Sequence, residues 1–492
     1  MLYSNKKYFE SCIKIAQKLF QEKLYEDCIN YIEKTASFGW FNFSGYYKSE
    51  KLEVLLSKIQ QEILTPNLHK PKKGTSDKIL HICSEVYTSG GHSKLLYNWI
   101  KNDKSKKHSV LSTRLAIEDL KEISLFYLPD IKDIDHFSVK SESKIKSAQL
   151  LNQLPLNDFD AIVLHIHPDE TITNLVLSQA CIATPVYFVN HADHVFWLGT
   201  SIADMVLQIR ESNISVDVDR RGIAKQRQFF LPIPVETVSQ QVHTQAPKSD
   251  YLQILSTGTS YKYNPNREYN FLKEAYKIVE ENKDVIFNIV GIDQDSNYGK
   301  EFKHDRIILH GIVSSSVLAQ IEKNTDIYLE GFPMASFTAL LQTALQKIPF
   351  VLHYNPIPLF KLFEDDKKHN IIYPSNLEEW HNEVKNLIRE EKYRTETREK
   401  QYDYILNNFS IDVWKSRITD LYEITKKTPH TLYKTPDDIF YAGANELILV
   451  TIDKRKLPHF SFTENLSFWG KCFVFMKSFP TNKNIDYFKR KK

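Results

Sequence analysis

The feature that most constrains the fold is an alternation of short apolar runs with helical segments, which occurs twice along the chain. In the first half, helical patterns at 92–101 and 170–182 lie between apolar runs. This alternation is typical of a parallel sheet with crossover helices, the doubly wound α/β class. The predicted strands of the first half are 79–83, 108–112, 161–166, 185–190, 204–209 and 228–234.

A polar stretch over 236–250 separates this half from a second half with the same order of elements. Two successive units of this kind predict two Rossmann-like domains that face each other across a cleft. The predicted strands of the second half are 251–258, 285–291, 306–311, 326–331 and 349–354, and its predicted helices are 267–282, 314–323 and 336–347.

The ends of the chain lie outside these two units. Three amphipathic helical patterns predict a small amino-terminal module, which is either a structural appendage or a docking surface for a partner or an acceptor. The other end is aromatic and basic and closes with KRKK, which we interpret as a solvated tail rather than a membrane-surface patch. The predicted segments are a helical module at 1–70, Rossmann-like domains at 76–235 and 250–427, and an extension at 428–492.

Composition narrows the class of protein. The 492 residues are 42% hydrophobic and 25% charged, which excludes a wholly disordered chain. The 64 Lys and Arg residues nearly balance the 61 Asp and Glu residues, so we expect no nucleic-acid partner. No run of 18 apolar residues and no secretory signal is found, which predicts a cytoplasmic protein. Five scattered cysteines without CxxC spacing indicate reduced thiols, not a zinc site or disulfides: Cys12, Cys28, Cys83, Cys181 and Cys472.

Candidate site residues of the first half are those that follow predicted strands, because open α/β sheets bind ligands beyond the carboxyl ends of their strands. Gly91 lies just before the predicted helix 92–101, whose first N–H groups attract anions. Two segments rich in His and carboxylates follow later strands, at 165–170 and 190–194. Imidazole titrates near neutral pH and a carboxylate can orient it. The candidate general bases are therefore Asp193, His191 and His194. Trp197 either packs on a sugar face or, as we favour, fills the core.

The second half contains candidate phosphate-binding residues. Thr259 and Lys262 lie in a short polar loop after a strand, where hydroxyls, backbone N–H groups and a cation can hold phosphate oxygens. Glu330 ends a later strand, and Ser336 is the predicted N-cap of the next helix, with Thr338 in its first turn. A helix start that faces a cleft attracts a diphosphate.

These segments resemble GT-B glycosyltransferases. In that family the carboxyl-terminal domain has a strand, an E-G-F loop, a helix start and another strand, and residues 326–352 follow this order: DIYLEGFPMASFTALLQTALQKIPFVL. Residues 306–329 resemble the family's lead-in, and NHADHVFWLG at 190–199 fits bacterial members. The spacing is closer to the inverting branch with the cytosolic N-glycosyltransferases and O-GlcNAc transferases. The resemblance covers 78–425 and is specific over 251–352.

The resemblance implies an acceptor-binding first domain, with His165, His167 and Trp197 on the acceptor side. The donor diphosphate would lie at the helix start of the second domain. The family often has a ribose-binding Glu, and the matching position here holds Gln342. Glu330 and position 342 are also farther apart than the paired Glu residues of retaining members. Both departures disfavour a retaining mechanism. The implied donor-binding residues are Gly91, Thr259, Lys262, Glu330, Ser336, Phe337, Thr338 and Gln342.

The implied activity is transfer of a sugar from a nucleoside diphosphate sugar to an acceptor hydroxyl or amide. We expect a UDP-sugar donor, inversion, no metal and no other cofactor. The expected acceptor is a glycan, a lipid-linked intermediate, a protein side chain or a small molecule. Peripheral membrane or partner-protein association is compatible with this activity.

Two alternatives stay open at the level of sequence. The first is a metallohydrolase, because His and carboxylate side chains are metal ligands. The second is a non-catalytic GT-B relative that acts as a binding module. A nicotinamide enzyme is disfavoured, because no G-x-G-x-x-G follows a predicted strand. The metallohydrolase ligands would be His165, His167, Asp169, His191, Asp193 and His194.

Overall fold

A computed structural model describes residues 1–67, 69, 77–88, 91–131, 133–236, 250–426, 428–452 and 465–478. Three helices form the amino-terminal module, as the sequence predicts: α1 (Leu2–Gln21), α2 (Tyr25–Phe41) and α3 (Glu50–Ile63). Apolar side chains at helical spacing, such as Phe9, Cys12 and Ala16, form the buried face of α1.

Seven parallel strands form the first sheet, in the order β3-β2-β1-β4-β5-β6-β7. They are β1 (Lys78–Cys83), β2 (Lys107–Ser112), β3 (Asp135–Ser138), β4 (Ala161–His165), β5 (Val186–Asn190), β6 (Met205–Gln208) and β7 (Gln228–Phe230). Strand β3 was not predicted, because its sequence DHFS is short and polar and contains no apolar run.

Five helices accompany this sheet: α4 (Gly91–Asn102), α5 (Ile117–Tyr127), α6 (Lys144–Asn152), α7 (Ile172–Leu177) and α8 (Asn213–Val216). Cys83 pairs with His165, and Asn190 pairs with Gln208, at the ends of their strands. The carboxyl ends of four central strands therefore lie at one edge, and the residues that follow them are neighbours.

Five parallel strands form the second sheet, in the order β10-β9-β8-β11-β12. They are β8 (Leu252–Thr257), β9 (Val285–Val290), β10 (Ile307–Leu309), β11 (Ile327–Leu329) and β12 (Phe350–Val351). The helices are α9 (Phe271–Glu281), α10 (Asn297–Glu301), α11 (Ser315–Lys323), α12 (Thr338–Ala344), α13 (Leu377–Arg389), α14 (Glu391–Phe409) and α15 (Ile411–Thr425). The predicted pair of doubly wound α/β units is confirmed.

The helical module shares one hydrophobic core with the first sheet. Phe9 of α1 packs edge-on against Phe196, with ring centroids 5.1 Å apart. The carboxylate of Glu53, buried on α3, accepts hydrogen bonds of 2.8–3.0 Å from the N–H groups of Gly199, Thr200 and Ser201. The module is therefore built into the first domain by apolar burial and by a buried carboxylate.

The chain then returns from the second domain to the first. Trp414, Ile418 and Leu421 of α15 are buried in a cluster with β1 and β4–β6. The segment after α15 continues across the first domain, where His430 contacts Asp204 at 2.8 Å. Helices α16 (Ala444–Ile452) and α17 (Phe468–Ser478) then pack on the helical module. No helix among the described residues has both the length and the apolar character needed to cross a membrane.

Candidate functional site

A cavity of about 310 Å³ lies between the two sheets. One wall comes from residues that follow β5 and β6, and the opposite wall comes from residues that follow β8, β11 and β12. The helical module and α16 complete the lining. The residues with polar side chains at the cavity include His194, Arg210, Tyr261, Lys262, Ser336, Thr338, His353 and Asn355.

His194 and Asp193 form a hydrogen-bonded pair at this cavity. Nδ1 of His194 lies 3.0 Å from Oδ1 of Asp193, and 31% of the His194 side chain is exposed. Oδ2 of the fully buried Asp193 accepts hydrogen bonds from Arg210 and Asn213. Burial opposes ionisation of Asp193, but Arg210 and His194 outweigh it and hold its pKa below the usual range. Both oxygens of Asp193 already accept hydrogen bonds and Asp193 does not line the cavity, so its position is suited to orienting His194.

Arg210 is a site residue that the sequence reasoning missed. It follows β6 by two positions and lines the cavity. The signal was present, because a predicted strand ends directly before it. Burial lowers the pKa of His353 to about 3, and the charge of Arg210 acts in the same direction. The first domain thus places a cation where the two walls of the cavity meet.

Lys262 contributes a second cation from the opposite wall. It lies in a single helical turn at Ser260–Tyr263, directly after β8. Burial lowers its pKa; the Glu330 carboxyl opposes this shift, and Arg210 adds to it. Within the described part of the chain, the Lys262 ammonium group forms no hydrogen bond or salt bridge. A partly buried cation of this kind favours an anionic ligand.

Glu330 lies beneath this loop at the end of β11 and is completely buried. Its Oε1 accepts a hydrogen bond from the backbone N–H of Ser336, and Oε2 has no partner among the described residues. Burial raises the pKa of Glu330 to about 7, because the Ser336 N–H group and the Lys262 charge offset only part of the lost solvation. Glu330 does not line the cavity, but its charge changes near neutral pH.

The start of α12 reaches the cavity through Ser336, Phe337 and Thr338. The helix begins at Thr338, and Ser336 is not its N-cap as predicted, because the Ser336 N–H group turns back to Glu330. Phe337 takes the cap position with a φ of 30°, which non-glycine residues rarely adopt. The N–H groups of Ala339 and Leu341 donate to the carbonyl oxygens of Ser336 and Phe337, and Thr338 is the residue of α12 that lines the cavity.

Two glycines let the loops come together here. A Cβ at Gly258 would lie 2.6 Å from Oγ of Ser336. Gly291 has a φ of 102°, and a Cβ there would collide with the carbonyl group of Gly258. The residue after β8 therefore lies close to Ser336, just before α12, and the residue after β9 lies close to the residue after β8.

His191 and His167 lie beside the cavity, not in its lining. Each ring is close to His92, with centroid distances of 4.3 Å for His191 and 5.6 Å for His167. Burial, with the neighbouring His167, lowers the pKa of His191 to about 4. The ring centroid of Trp40 lies 5.5 Å from that of His167. This cluster is neutral at pH 7 and borders the face that the helical module covers.

His165 belongs to the interior of the first sheet, so its predicted place on the acceptor side is wrong. Its Nε2 lies 3.1 Å from Nδ1 of His81, and Nε2 of His81 lies 3.0 Å from Nδ1 of His108. His108 Nε2 lies 3.0 Å from the backbone oxygen of Asp103. Burial lowers the pKa of His165 to about 3. The three rings form a neutral buried row across β4, β1 and β2.

Four other predicted site residues lie away from the cavity. Trp197 is buried, stacks on Phe188 at 4.3 Å and has the Arg221 guanidinium 4.8 Å from its ring centroid, so it is a core residue. Gln342 is exposed on α12 and does not line the cavity, which leaves no contact to support a ribose-binding role. Gly91 and Thr259 are also exposed and outside the lining.

The six ligands of the metallohydrolase alternative do not meet. Asp169 instead binds Arg114 at 2.8 Å and accepts a hydrogen bond from Ser37. Glu170 accepts hydrogen bonds of 2.7 Å from Ser84 and Thr113. In the described ranges, no group of three or more His, Cys, Asp or Glu side chains is arranged to hold a metal ion.

The sequence analysis also did not predict the apolar wall of the cavity. Trp40, Phe41 and Phe43 come from the end of α2 and the residues after it, and Leu449 and Val450 come from α16. The helical module was predicted as a possible docking surface, but its sequence has no pattern that places these residues against two distant sheets. Their position depends on the return of the chain after α15.

Two Rossmann-like sheets that face one cleft, with a terminal helix crossing back to the first, define the GT-B class of fold. The chain has this fold, which confirms the fold implied by the resemblance. No protein-family model matches the sequence, and no curated protein matches it.

Solved structures with this fold are similar to the chain. A glycosyltransferase from Rickettsia africae ESF-5 aligns with a TM-score of 0.50 and 13% identity, covering 72% of this chain and 100% of that one. A mutant O-GlcNAc transferase of Thermobaculum terrenum has a TM-score of 0.49 and 12% identity over 85% of this chain and 84% of its own. The lipopolysaccharide outer core galactosyltransferase WaaB has a TM-score of 0.49 and 16% identity, with 71% and 99% covered. At these identities, the likeness concerns the fold.

Proposed function

We propose that this protein is a glycosyltransferase that moves a sugar from a nucleoside diphosphate sugar to an acceptor in the cleft. The observation that carries the proposal is the meeting of Lys262 and Arg210, from opposite domains, beside the start of α12. The Lys262 ammonium group and the Arg210 guanidinium group, which also pairs with Asp193, supply positive charge for a diphosphate, whose negative charge grows as the sugar leaves. A UDP-sugar is the expected donor, and the two cations take the role that a metal ion has in other transferases.

His194 is the proposed general base, in place of Asp193. Its Nδ1 is held by the Asp193 carboxylate at 3.0 Å, which leaves Nε2 for the acceptor. The acceptor O–H or N–H group would transfer its proton to Nε2 while its oxygen or nitrogen forms the bond to the anomeric carbon. The carbon–oxygen bond to the diphosphate breaks, and its electron pair goes to the diphosphate, so the reaction inverts the anomeric centre.

Donor binding tests the cationic site. We expect Lys262→Met to lower the affinity for UDP by about tenfold or more, because it removes a charge-assisted contact from a partly buried position. Calorimetric titration with UDP, GDP and CMP measures the affinity and identifies the base. The matched control is Lys392→Met, since the Lys392 side chain is 91% exposed on α14. Equal UDP affinity in both variants and the wild type would contradict the phosphate role of Lys262.

Turnover tests the base. We expect His194→Ala to lower kcat by about 10²–10⁴-fold and to leave donor affinity unchanged, because general-base catalysis acts on the acceptor proton. His191→Ala is the control, as it removes a neighbouring imidazole that does not line the cavity. Asp193→Asn should lower kcat through its effect on His194. The measurement is release of nucleoside diphosphate from a donor panel with a set of acceptors, with a chelator present.

The outcomes separate the alternatives. Nucleotide binding without transfer or donor hydrolysis would favour a non-catalytic binding module. Activity that a chelator abolishes and a divalent metal restores would contradict the metal-independent proposal. Full activity of His194→Ala would remove the base assignment without affecting the donor site.

A further inference from the structure

The surface of α17 exposes two adjacent large aromatic side chains. Trp469 is 72% exposed and Phe468 is 73% exposed. The other five tryptophans are buried or half-buried; they are Trp40, Trp99, Trp197, Trp380 and Trp414. Isolated exposed apolar residues are common, but two adjacent large aromatic side chains at this exposure indicate a surface that binds something.

The opposite side of α17 is held firmly against the helical module. The backbone N–H of Ser467 and its Oγ donate hydrogen bonds of 2.7 and 2.6 Å to the carboxylate of Asp27 on α2. A Cβ at Gly470 would lie 2.6 Å from that same carboxyl group, so the helix approaches α2 closely. Leu466 and Val474 are buried in the core that the module shares with the first sheet. The aromatic face is therefore fixed outward by contacts on the other side.

Charge separates this end of the chain from the rest. Residues 453–492 contain ten Lys and Arg and three Asp and Glu, a net charge of +7. Because the whole chain carries +3, the other 452 residues carry a net −4. Lys471 of α17 is itself exposed beside the aromatic pair. Exposed Phe468 and Trp469 with Lys471, in a part of the sequence that is rich in Lys and Arg, match a bilayer surface with anionic headgroups: the rings enter the interface and the cations attract the lipid charge.

We propose that α17, through Phe468 and Trp469 with Lys471 beside them, docks this protein on an anionic lipid surface. The sequence alone favoured a solvated tail, since a basic cluster by itself is usually solvated. The KRKK end lies outside the described residues, so the proposal rests on the exposed aromatic pair of the anchored helix. The proposal does not depend on the proposed function, because α17 contributes no residue to the cavity.

Vesicle binding of the full chain tests the proposal. We expect co-sedimentation with vesicles of phosphatidylcholine mixed with phosphatidylglycerol, weaker binding to phosphatidylcholine alone, and release by salt. The double variant Phe468→Ser with Trp469→Ser should weaken binding by about tenfold or more. The matched control is Phe126→Ser, which removes an aromatic side chain that is 61% exposed on α5. The control should bind as the wild type does.

Fluorescence of the wild type provides a second measurement that does not depend on folding of the variant. Trp469 is the tryptophan that water reaches most, so anionic vesicles should shift its emission to the blue and brominated lipids should quench it. Three results would overturn the proposal. They are no binding to either vesicle, unchanged binding of the double variant with no quenching, and lipid-free self-association that the double variant abolishes.

Discussion

Glu330→Gln separates the charge of this buried side chain from its shape. The folded-state pKa of about 7 lies about 2.5 units above the ordinary 4.5. At about 1.4 kcal/mol per unit, ionisation of Glu330 costs the folded state about 3 kcal/mol at high pH. Gln keeps the acceptor for the Ser336 N–H group and removes the titration. We therefore expect the variant to gain stability relative to the wild type as pH rises.

The sign of the effect follows from proton binding. Because the pKa is raised on folding, the folded state binds the proton more tightly than the unfolded state. The wild type therefore loses this contribution as pH rises from about 4.5 through about 7, and the full loss is present at about pH 8. The difference between variant and wild type should be below about 1 kcal/mol at pH 5 and approach 3 kcal/mol at pH 8.

The assay is urea unfolding of both proteins at several pH values, followed by circular dichroism. A new amide N–H group without a partner would shift the variant by a constant amount, so the change of the difference with pH is the diagnostic quantity. A difference that does not change with pH, or that grows toward acid, would refute the conclusion that Glu330 titrates near neutral pH. Glu281→Gln, an exposed substitution at the end of α9, is the control.

Two further predictions concern stability. His353 has a pKa lowered to about 3 by burial, so below pH 6.5 the unfolded state binds the proton more readily, and stability falls with acid. His353→Phe should reduce the loss between pH 7 and pH 5 by about 2 kcal/mol, as measured by urea unfolding; an unchanged loss would contradict the buried neutral state. Glu53→Ala should destabilise the protein by about 3 kcal/mol or more, because it leaves buried N–H groups of the 199–201 turn unpaired. Lys51→Ala, exposed on the same helix, should have little effect in thermal unfolding, and equal effects of the two would remove the anchoring role of Glu53.

The sequence determined most of the fold by local pattern. Apolar runs such as 79–83 and 285–290 can only be buried strands when helices alternate with them, and every predicted strand has a counterpart in the two sheets. Strand β3 was not predicted, because it contains the polar residues Asp135 and His136. It is recognised only by its pairing with β2. Site residues directly after strands were also within reach, as Lys262 and His194 show.

Only the tertiary structure decided which of these residues share a site. Strand ends place His165 and His194 in equivalent local patterns, yet one imidazole lies in a buried row and the other lines the cavity. Arg210 and Lys262 come from different domains, and they line the same cavity because the two sheets face each other. Burial and charge then set the pKa of Glu330 and the partners of Asp193. These properties depend on distances between elements, which a local sequence pattern does not contain.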